Sequence, residues 1–164
     1  MAARIAPGTG RATVATGLPV LDHLLGVLAR GGRFDLVLEL APADAEAEVA
    51  EAGRALGQAL APLLQVNGNG APRHGSAVLP ADEALAQVAL EASGKALLAS
   101  NVDLSAARAG GLHTDLAARF LESLATAAGL TLHVRLIDGE DSQHVLEAIF
   151  KALGAALAQA SAQT

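Results

Sequence analysis

The sequence predicts an α+β fold: one domain in which a half-domain is duplicated, each half being a small sheet with helices packed on one face. An internal repeat and a β-rich stretch between its two copies carry this prediction. Strands and helices that do not alternate strictly favour helices covering one sheet face over a parallel α/β arrangement. The 164 residues suit a single domain over 1–164, with halves at about 10–95 and 96–164.

The internal repeat matches residues 20–60 with residues 116–157. Each copy begins with apolar residues at helical spacing, continues with the apolar alternation of a half-buried strand, and ends in a second helix. The second helices are predicted at 46–64 and 142–159. The apolar helix positions are Leu24, Leu25 and Leu28, then Phe120, Leu121 and Leu124, and the strand positions are Phe34, Leu36, Leu38 and Leu40, then Leu130, Leu132, Val134 and Leu136.

Glycine-containing turns divide the rest of the chain. Strands are predicted at 76–79, 86–91 and 97–102, with turns at 67–70 (Asn-Gly-Asn-Gly) and 109–111 (Ala-Gly-Gly). Ahead of the first copy, Gly8-Thr9-Gly10 predicts a hairpin turn between two short strands. These strands supply the sheets on which the repeated helices are expected to pack.

Composition excludes several classes of function. The net charge is −6 and no stripe of Lys and Arg occurs, so nucleic-acid binding is not expected. Cysteine is absent, which excludes disulfides and thiolate chemistry. No apolar run approaches bilayer-spanning length and the N-terminus lacks a signal-peptide core, so we expect a cytoplasmic protein without a membrane partner.

Four stretches carry a resemblance to a known family. They are 16–24 (TGLPVLDHL), 55–60 (ALGQAL), 80–86 (PADEALA) with Ser-Gly at 93–94, and 128–135 (AGLTLHVR) through 144–153 (HVLEAIFKAL). In this order and spacing they resemble the imidazoleglycerol-phosphate dehydratase family of histidine biosynthesis. The resemblance implies a duplicated fold of the ribosomal protein S5 domain 2-like kind. It also implies a homo-oligomer such as a 24-subunit shell, with active sites at subunit interfaces.

The resemblance implies a metal-dependent hydro-lyase, which converts imidazole glycerol phosphate to imidazole acetol phosphate. In the family, two Mn²⁺ ions hold the imidazole and stabilise its developing negative charge. A His-His-x-x-Glu motif in each repeat, with one further His from the preceding helix, supplies the ligands. This sequence has Gln-His-Val-Leu-Glu at 143–147, and His23 matches the further histidine of the first repeat. The resemblance thus implies His23, His144 and Glu147 as metal ligands, with Glu147 and His23 catalytic.

Several other positions depart from the family pattern. Residues 46–50 read Glu-Ala-Glu-Val-Ala where the first-repeat motif is expected, and Arg119 stands at the counterpart of His23. The family's opening Arg-x-Thr-x-Glu-Thr strand and its Ser-Thr-Lys tail are not found in the sequence. We therefore expect that the two metal sites of the family are not both complete. The chain is then expected to bind no cofactor, or to bind manganese if one metal site survives.

The acidic residues at 44–48 admit two interpretations. Asp44, Glu46 and Glu48 could form a weak oxygen-donor site for a hard cation. The favoured interpretation is an acidic first turn that complements the helix dipole and lies in solvent. Similarly, the adjacent Asp22 could orient His23 or act only as a partner of the helix dipole.

The cations that bind the substrate phosphate in the family are better preserved. The resemblance implies this role for Arg73, Lys95 and Lys151, although Lys95 stands where the family has Arg and lacks its bidentate fork. The alternative is that both lysines are surface charges and Arg73 caps a loop.

Three hypotheses for function follow. The leading one is a family homologue with lost or strongly impaired dehydratase activity, kept in a structural, ligand-binding or assembly role. The second is an active but divergent hydro-lyase with a reduced metal site. The third is co-assembly with an intact homologue. In each case we expect a chain that folds without metal, since its missing ligands are polar groups that cost free energy to bury.

Overall fold

A computed structural model describes residues 3–66, 70–103, 108–109 and 112–162. The predicted turn at 67–70 and the Gly-Gly of 109–111 therefore fall largely outside the described residues. A short 3₁₀ helix, Ala61–Leu64, follows the second α-helix. The helices are α1 Pro19–Gly32, α2 Ala45–Leu60, α3 Thr114–Ala128 and α4 Ser142–Ser161, and the strands are β1 Ala3–Pro7, β2 Ala12–Ala15, β3 Phe34–Glu39, β4 His74–Ala81, β5 Ala84–Glu91, β6 Leu97–Ser100, β7 Arg108–Ala109, β8 Leu112–His113 and β9 Thr131–Asp138.

The two main sheets reproduce the duplication found in the sequence. One sheet has the order β1-β3-β2, with β1 antiparallel and β2 parallel to β3. The other has the order β4-β5-β9-β6, with β5 antiparallel and β6 parallel to β9. The central strand and its two neighbours therefore recur, and β4 is an addition at the edge of the second sheet. The predicted duplicated α+β fold is confirmed.

The predicted hairpin at Gly8-Thr9-Gly10 is wrong in its pairing. β1 and β2 are joined by this turn, but β3 lies between them and pairs with both. The turn is held instead by Asp35 at the start of β3, whose carboxylate accepts hydrogen bonds from the backbone nitrogens of Thr9 (3.1 Å) and Arg11 (3.2 Å). These bonds lower the pKa of Asp35 below its ordinary value. Insertion of a distant strand depends on tertiary contacts, which local turn signals do not report.

The helices of the two halves pack against each other in pairs, α1 on α4 and α2 on α3, between the two sheets. Small residues allow close contact between backbones: a Cβ on Gly154 would lie 2.9 Å from the carbonyl carbon of Leu28. Phe120 and Phe150, both fully buried, stack with ring centroids 5.5 Å apart. Phe34, the third aromatic residue of the sequence, is buried as well, and the rest of the interior is filled by Leu, Val, Ile and Ala.

Matching caps start the second helix of each half. The Asp44 carboxylate accepts a hydrogen bond from the Ala47 nitrogen (2.8 Å), and the Asp141 carboxylate accepts from the nitrogens of Gln143 (2.9 Å) and His144 (3.1 Å). When the two capping residues are aligned, residue 46 corresponds to residue 143 and residue 50 corresponds to residue 147 in the internal repeat. Among the described residues, no helix combines the length and the hydropathy that a membrane-spanning segment needs.

Candidate functional site

His23 and Glu147 meet across the contact between α1 and α4. The His23 Nε2 lies 3.5 Å from the Glu147 Oε2, and both side chains are partly exposed. Glu147 lines a groove of about 340 Å³ between these helices and the β4–β5 turn, which we call the α1–α4 groove. It is lined by Val27, Arg30, Gly31, Ala81, Asp82, Glu147 and Lys151. The structure thus brings together two of the three predicted metal ligands.

Asp22 has a separate, structural contact. Its carboxylate accepts hydrogen bonds from the backbone nitrogen (3.0 Å) and the hydroxyl (2.5 Å) of buried Thr16. These bonds fix the segment that enters α1. The imidazole of His23 is instead paired with Glu147, so the structure favours an anchoring role for Asp22 over the orientation of His23.

His144, the third predicted ligand, is held by the β4–β5 turn. Its Nδ1 contacts the Glu83 carboxylate, and its Nε2 lies 3.3 Å from the Asp82 Oδ2. The second oxygen of Glu83 accepts from the backbone nitrogens of Glu140 (3.3 Å) and Asp141 (3.2 Å) at the start of α4. The hydrogen bond to His144 lowers the pKa of Glu83 to about 2, and the same bond raises the pKa of His144.

This arrangement disfavours His144 as a metal ligand. A metal binds the neutral imidazole through a free lone pair, whereas here two carboxylates stabilise the protonated ring. Sequence reasoning missed Glu83, although it lies in a stretch that carried the family resemblance. In the sequence, Asp82 and Glu83 are two adjacent acidic residues between predicted strands, and such a pair usually indicates a solvent-exposed turn.

The contact between α2 and α3 carries an ion pair instead. The Arg119 Nη2 lies 3.0 Å from the Glu46 Oε1. Glu48 is buried, with 5% of its surface exposed, and accepts a hydrogen bond from the Ala43 nitrogen (3.0 Å). With Asp44 capping α2, the three carboxylates have three different partners. The expectation of an acidic first turn in solvent is therefore wrong for Glu48, and the described geometry does not gather the three into a cation site.

The donors of the described chain do not fit the two-metal site that the resemblance implies. No group of three His, Cys, Asp or Glu residues among the described positions is placed to hold a metal ion. His23 and Glu147 supply two donors, His144 is bound to the β4–β5 turn, and Arg119 contributes a cation. At the contact between α1 and α4, the His23 imidazole beside the Glu147 carboxylate could hold a polar ligand by hydrogen bonds.

The predicted phosphate-binding cations lie at different places. Lys151 lines the α1–α4 groove and donates from its Nζ to the Pro80 carbonyl (3.0 Å). Arg73 donates to carbonyls at the end of α4, those of Ala160 (3.3 Å) and Ser161 (3.2 Å). Nine residue steps along α4, a rise of roughly 14 Å, separate Lys151 from residue 160. Lys95 lies in the exposed loop before β6. Their shared role in phosphate binding stays a prediction.

Fold and site together define a class: a duplicated α+β half-domain protein with polar side chains at the contacts between its helix pairs. A profile described as imidazoleglycerol-phosphate dehydratase matches residues 16–157. The chain belongs to the imidazoleglycerol-phosphate dehydratase family.

Individual relatives agree with this assignment. The imidazoleglycerol-phosphate dehydratase of Moorella thermoacetica is 43% identical over 157 residues, 93% of this chain and 79% of the relative. That of Syntrophobacter fumaroxidans is 42% identical and covers 94% of this chain and 79% of its own length. The solved structure of the Staphylococcus aureus enzyme superposes with a TM-score of 0.85 at 31% identity, covering 98% of this chain and 92% of that one.

Proposed function

We propose that this chain is a dehydratase homologue in which conversion of imidazole glycerol phosphate is lost or strongly impaired, and which has a structural, ligand-binding or assembly role. The observation that carries the proposal is the Arg119–Glu46 ion pair, at the position where the first repeat of the family supplies metal ligands. A guanidinium has no lone pair to give and stays protonated, so it repels a divalent cation at this place.

The retained features support binding or assembly. The fold is intact, and the α1–α4 groove keeps two carboxylates and two cations within one surface depression, with His23 paired to its Glu147. A homo-oligomer, such as the 24-subunit shell implied by the resemblance, would place this groove beside a neighbouring subunit. Arg73, Lys95 and Lys151 could then act on one phosphate from different chains. Co-assembly with an intact homologue is a further form of the same role.

A turnover assay tests the proposal. Purified protein is incubated with Mn²⁺ and imidazole glycerol phosphate, and formation of imidazole acetol phosphate is followed. An intact relative, such as the Moorella thermoacetica enzyme, is assayed in parallel to validate substrate and metal. We expect turnover at least about a thousandfold below that of the relative, corresponding to roughly 4 kcal/mol of lost transition-state stabilisation. Turnover within tenfold of the relative would refute the proposal.

The His23–Glu147 pair favours one second candidate, an active divergent hydro-lyase with a reduced metal site. These two donors already lie 3.5 Å apart, and rotation of His144 away from Glu83 would add a third. In that case Glu147→Ala would remove both the bound metal and the turnover. His133→Ala, at an exposed position of β9, is the matched control and would leave both unchanged. Metal-free protein under saturating Mn²⁺ would exclude this candidate.

A further inference from the structure

We infer that a surface ion pair of the protein, Arg119–Glu46, takes the place of a divalent cation between α2 and α3 and closes this contact to metals. The inference deepens the proposed function and rests on it. It assigns a definite replacement to the lost first-repeat site: a protonated side chain of the protein that links the two halves of the duplication without metal.

The internal repeat fixes which positions correspond. The caps Asp44 and Asp141 start the two helices in the same way, so residues 46, 47 and 50 of α2 correspond to 143, 144 and 147 of α4. The buried positions of α1 and α3 also coincide: Leu24, Leu25 and Leu28 correspond to Phe120, Leu121 and Leu124. On this alignment Arg119 is the counterpart of His23, and Ala50 is the counterpart of Glu147.

Both contacts bridge helices from different halves, but with different chemistry. Between α1 and α4 an imidazole faces a carboxylate, His23 to Glu147, at 3.5 Å. Between α2 and α3 position 50 has no carboxylate, and the longer Arg119 side chain reaches Glu46, one turn earlier on α2, at 3.0 Å. A polar contact between the two halves is thus kept at α2 and α3, while positions 119 and 50 do not carry the imidazole and carboxylate that would hold a metal.

The charged side chains around the contact between α2 and α3 pair with one another. An adjoining groove of about 450 Å³ is lined by Ala50, Arg54, Gln58, Arg119, Glu122, Ser123, Thr126 and Ala127. Its residues 50, 54, 123, 126 and 127 are the repeat counterparts of 147, 151, 27, 30 and 31, which line the α1–α4 groove. Arg54 is paired with Glu51. Each arginine therefore has a carboxylate partner, and the two guanidinium groups oppose the entry of a further cation.

A gain of metal binding tests the inference. In Arg119→His/Ala50→Glu, positions 119 and 50 reproduce the observed His23–Glu147 pair, and Glu46 on the same face of α2 adds a third donor. Ala50→Glu alone is the matched control, because its new carboxylate faces a retained guanidinium. Binding of Mn²⁺ is measured from the loss of the free-ion electron paramagnetic resonance signal. We expect one more Mn²⁺ per chain in the double variant than in the unmodified protein, and no gain in Ala50→Glu.

Two results would overturn the inference: no gain in a double variant whose circular dichroism shows it folded, or an equal gain in Ala50→Glu. Should the double variant fail to fold, Glu46→Ala in the unmodified background decides, because Glu46 is exposed. We expect this variant to leave the Mn²⁺ stoichiometry unchanged, and a loss of bound Mn²⁺ would refute the inference. If the unmodified protein converted imidazole glycerol phosphate rapidly and the Mn²⁺ binding results were still as expected, the proposed loss of activity would be refuted. The inference that the Arg119–Glu46 pair replaces a metal ion would stand.

Discussion

Replacement of Gly154 by Ala tests the close contact that positions the α1–α4 groove. A Cβ at this position would lie 2.9 Å from the Leu28 carbonyl carbon and 3.0 Å from the Gly32 nitrogen, and closer still to the Leu28 oxygen. All three are backbone atoms of α1, so no side-chain rotation can relieve the overlap. The whole helix must move, and overpacking of this kind costs roughly 1–3 kcal/mol and occasionally more.

Helix propensity acts in the opposite direction. Gly to Ala in a helix interior gains about 1 kcal/mol, so the clash must exceed this gain for the variant to be destabilised. Since both sides of the contact are backbone, we expect the upper part of the overpacking range and a net loss of about 2 kcal/mol. For a domain of this size that lowers the thermal midpoint by roughly 4–8 °C.

Gly26 on α1 provides the matched control. A Cβ there would meet only the end of the flexible Arg30 side chain, at 3.4 Å. Gly26→Ala should therefore show the propensity gain alone, a rise of up to about 1 kcal/mol. Urea unfolding followed by circular dichroism measures both variants. Equal changes of the same sign in the two variants would refute the packing of α1 on α4 described above.

Three further predictions concern the turn, the core and the metal. Glu83→Gln should lower the pKa of His144 towards its ordinary value, as measured by NMR titration of the ring. The raised pKa of His144 stabilises the folded protein below pH 6.5 and this contribution is lost as pH rises through the folded pKa, whereas that of Glu83 is present above pH 4.5 and lost as pH falls towards about 2. The Glu83→Gln variant should therefore have a lower free energy of unfolding than the unmodified protein chiefly between pH 4.5 and pH 6.5, where both contributions are present. An unchanged His144 titration in this variant would exclude the contact between His144 and Glu83. Phe120→Ala, which removes a fully buried ring stacked on Phe150, should cost about 3–5 kcal/mol in urea unfolding, and a loss below 1 kcal/mol would contradict the stacked core. A chelator should leave the thermal midpoint unchanged, because buried apolar side chains and the Phe120–Phe150 stack hold the helices together; a fall in the midpoint would show a structural metal.

Much of the fold followed from the sequence because its signals are local and occur twice. Apolar spacing located the four helices and the two central strands, and the repeat indicated how they correspond. The hairpin at Gly8-Thr9-Gly10 was wrong because a turn signal cannot report that β3 enters between the strands it joins. Strand pairing of this kind is decided by the packing of distant residues.

The site was predicted only in part. The family resemblance implied His23 and Glu147, which the structure places together. It could not reveal that Glu83 holds His144, since that contact depends on how the β4–β5 turn packs against the start of α4. Nor could it show that Arg119 reaches Glu46, since the sequence shows only a cation where an imidazole was expected. The partners of long polar side chains depend on how separate helices and turns pack together, and sequence spacing does not determine that packing.

We propose that this chain cannot assemble the paired manganese site of its family. The decisive experiment is a crystal structure of the assembled protein, grown with Mn²⁺ and phased to reveal anomalous scatterers. We expect no pair of fully coordinated manganese ions at any subunit interface, and Arg119 still bound to Glu46. Two manganese ions with complete imidazole and carboxylate shells between neighbouring chains would contradict the account.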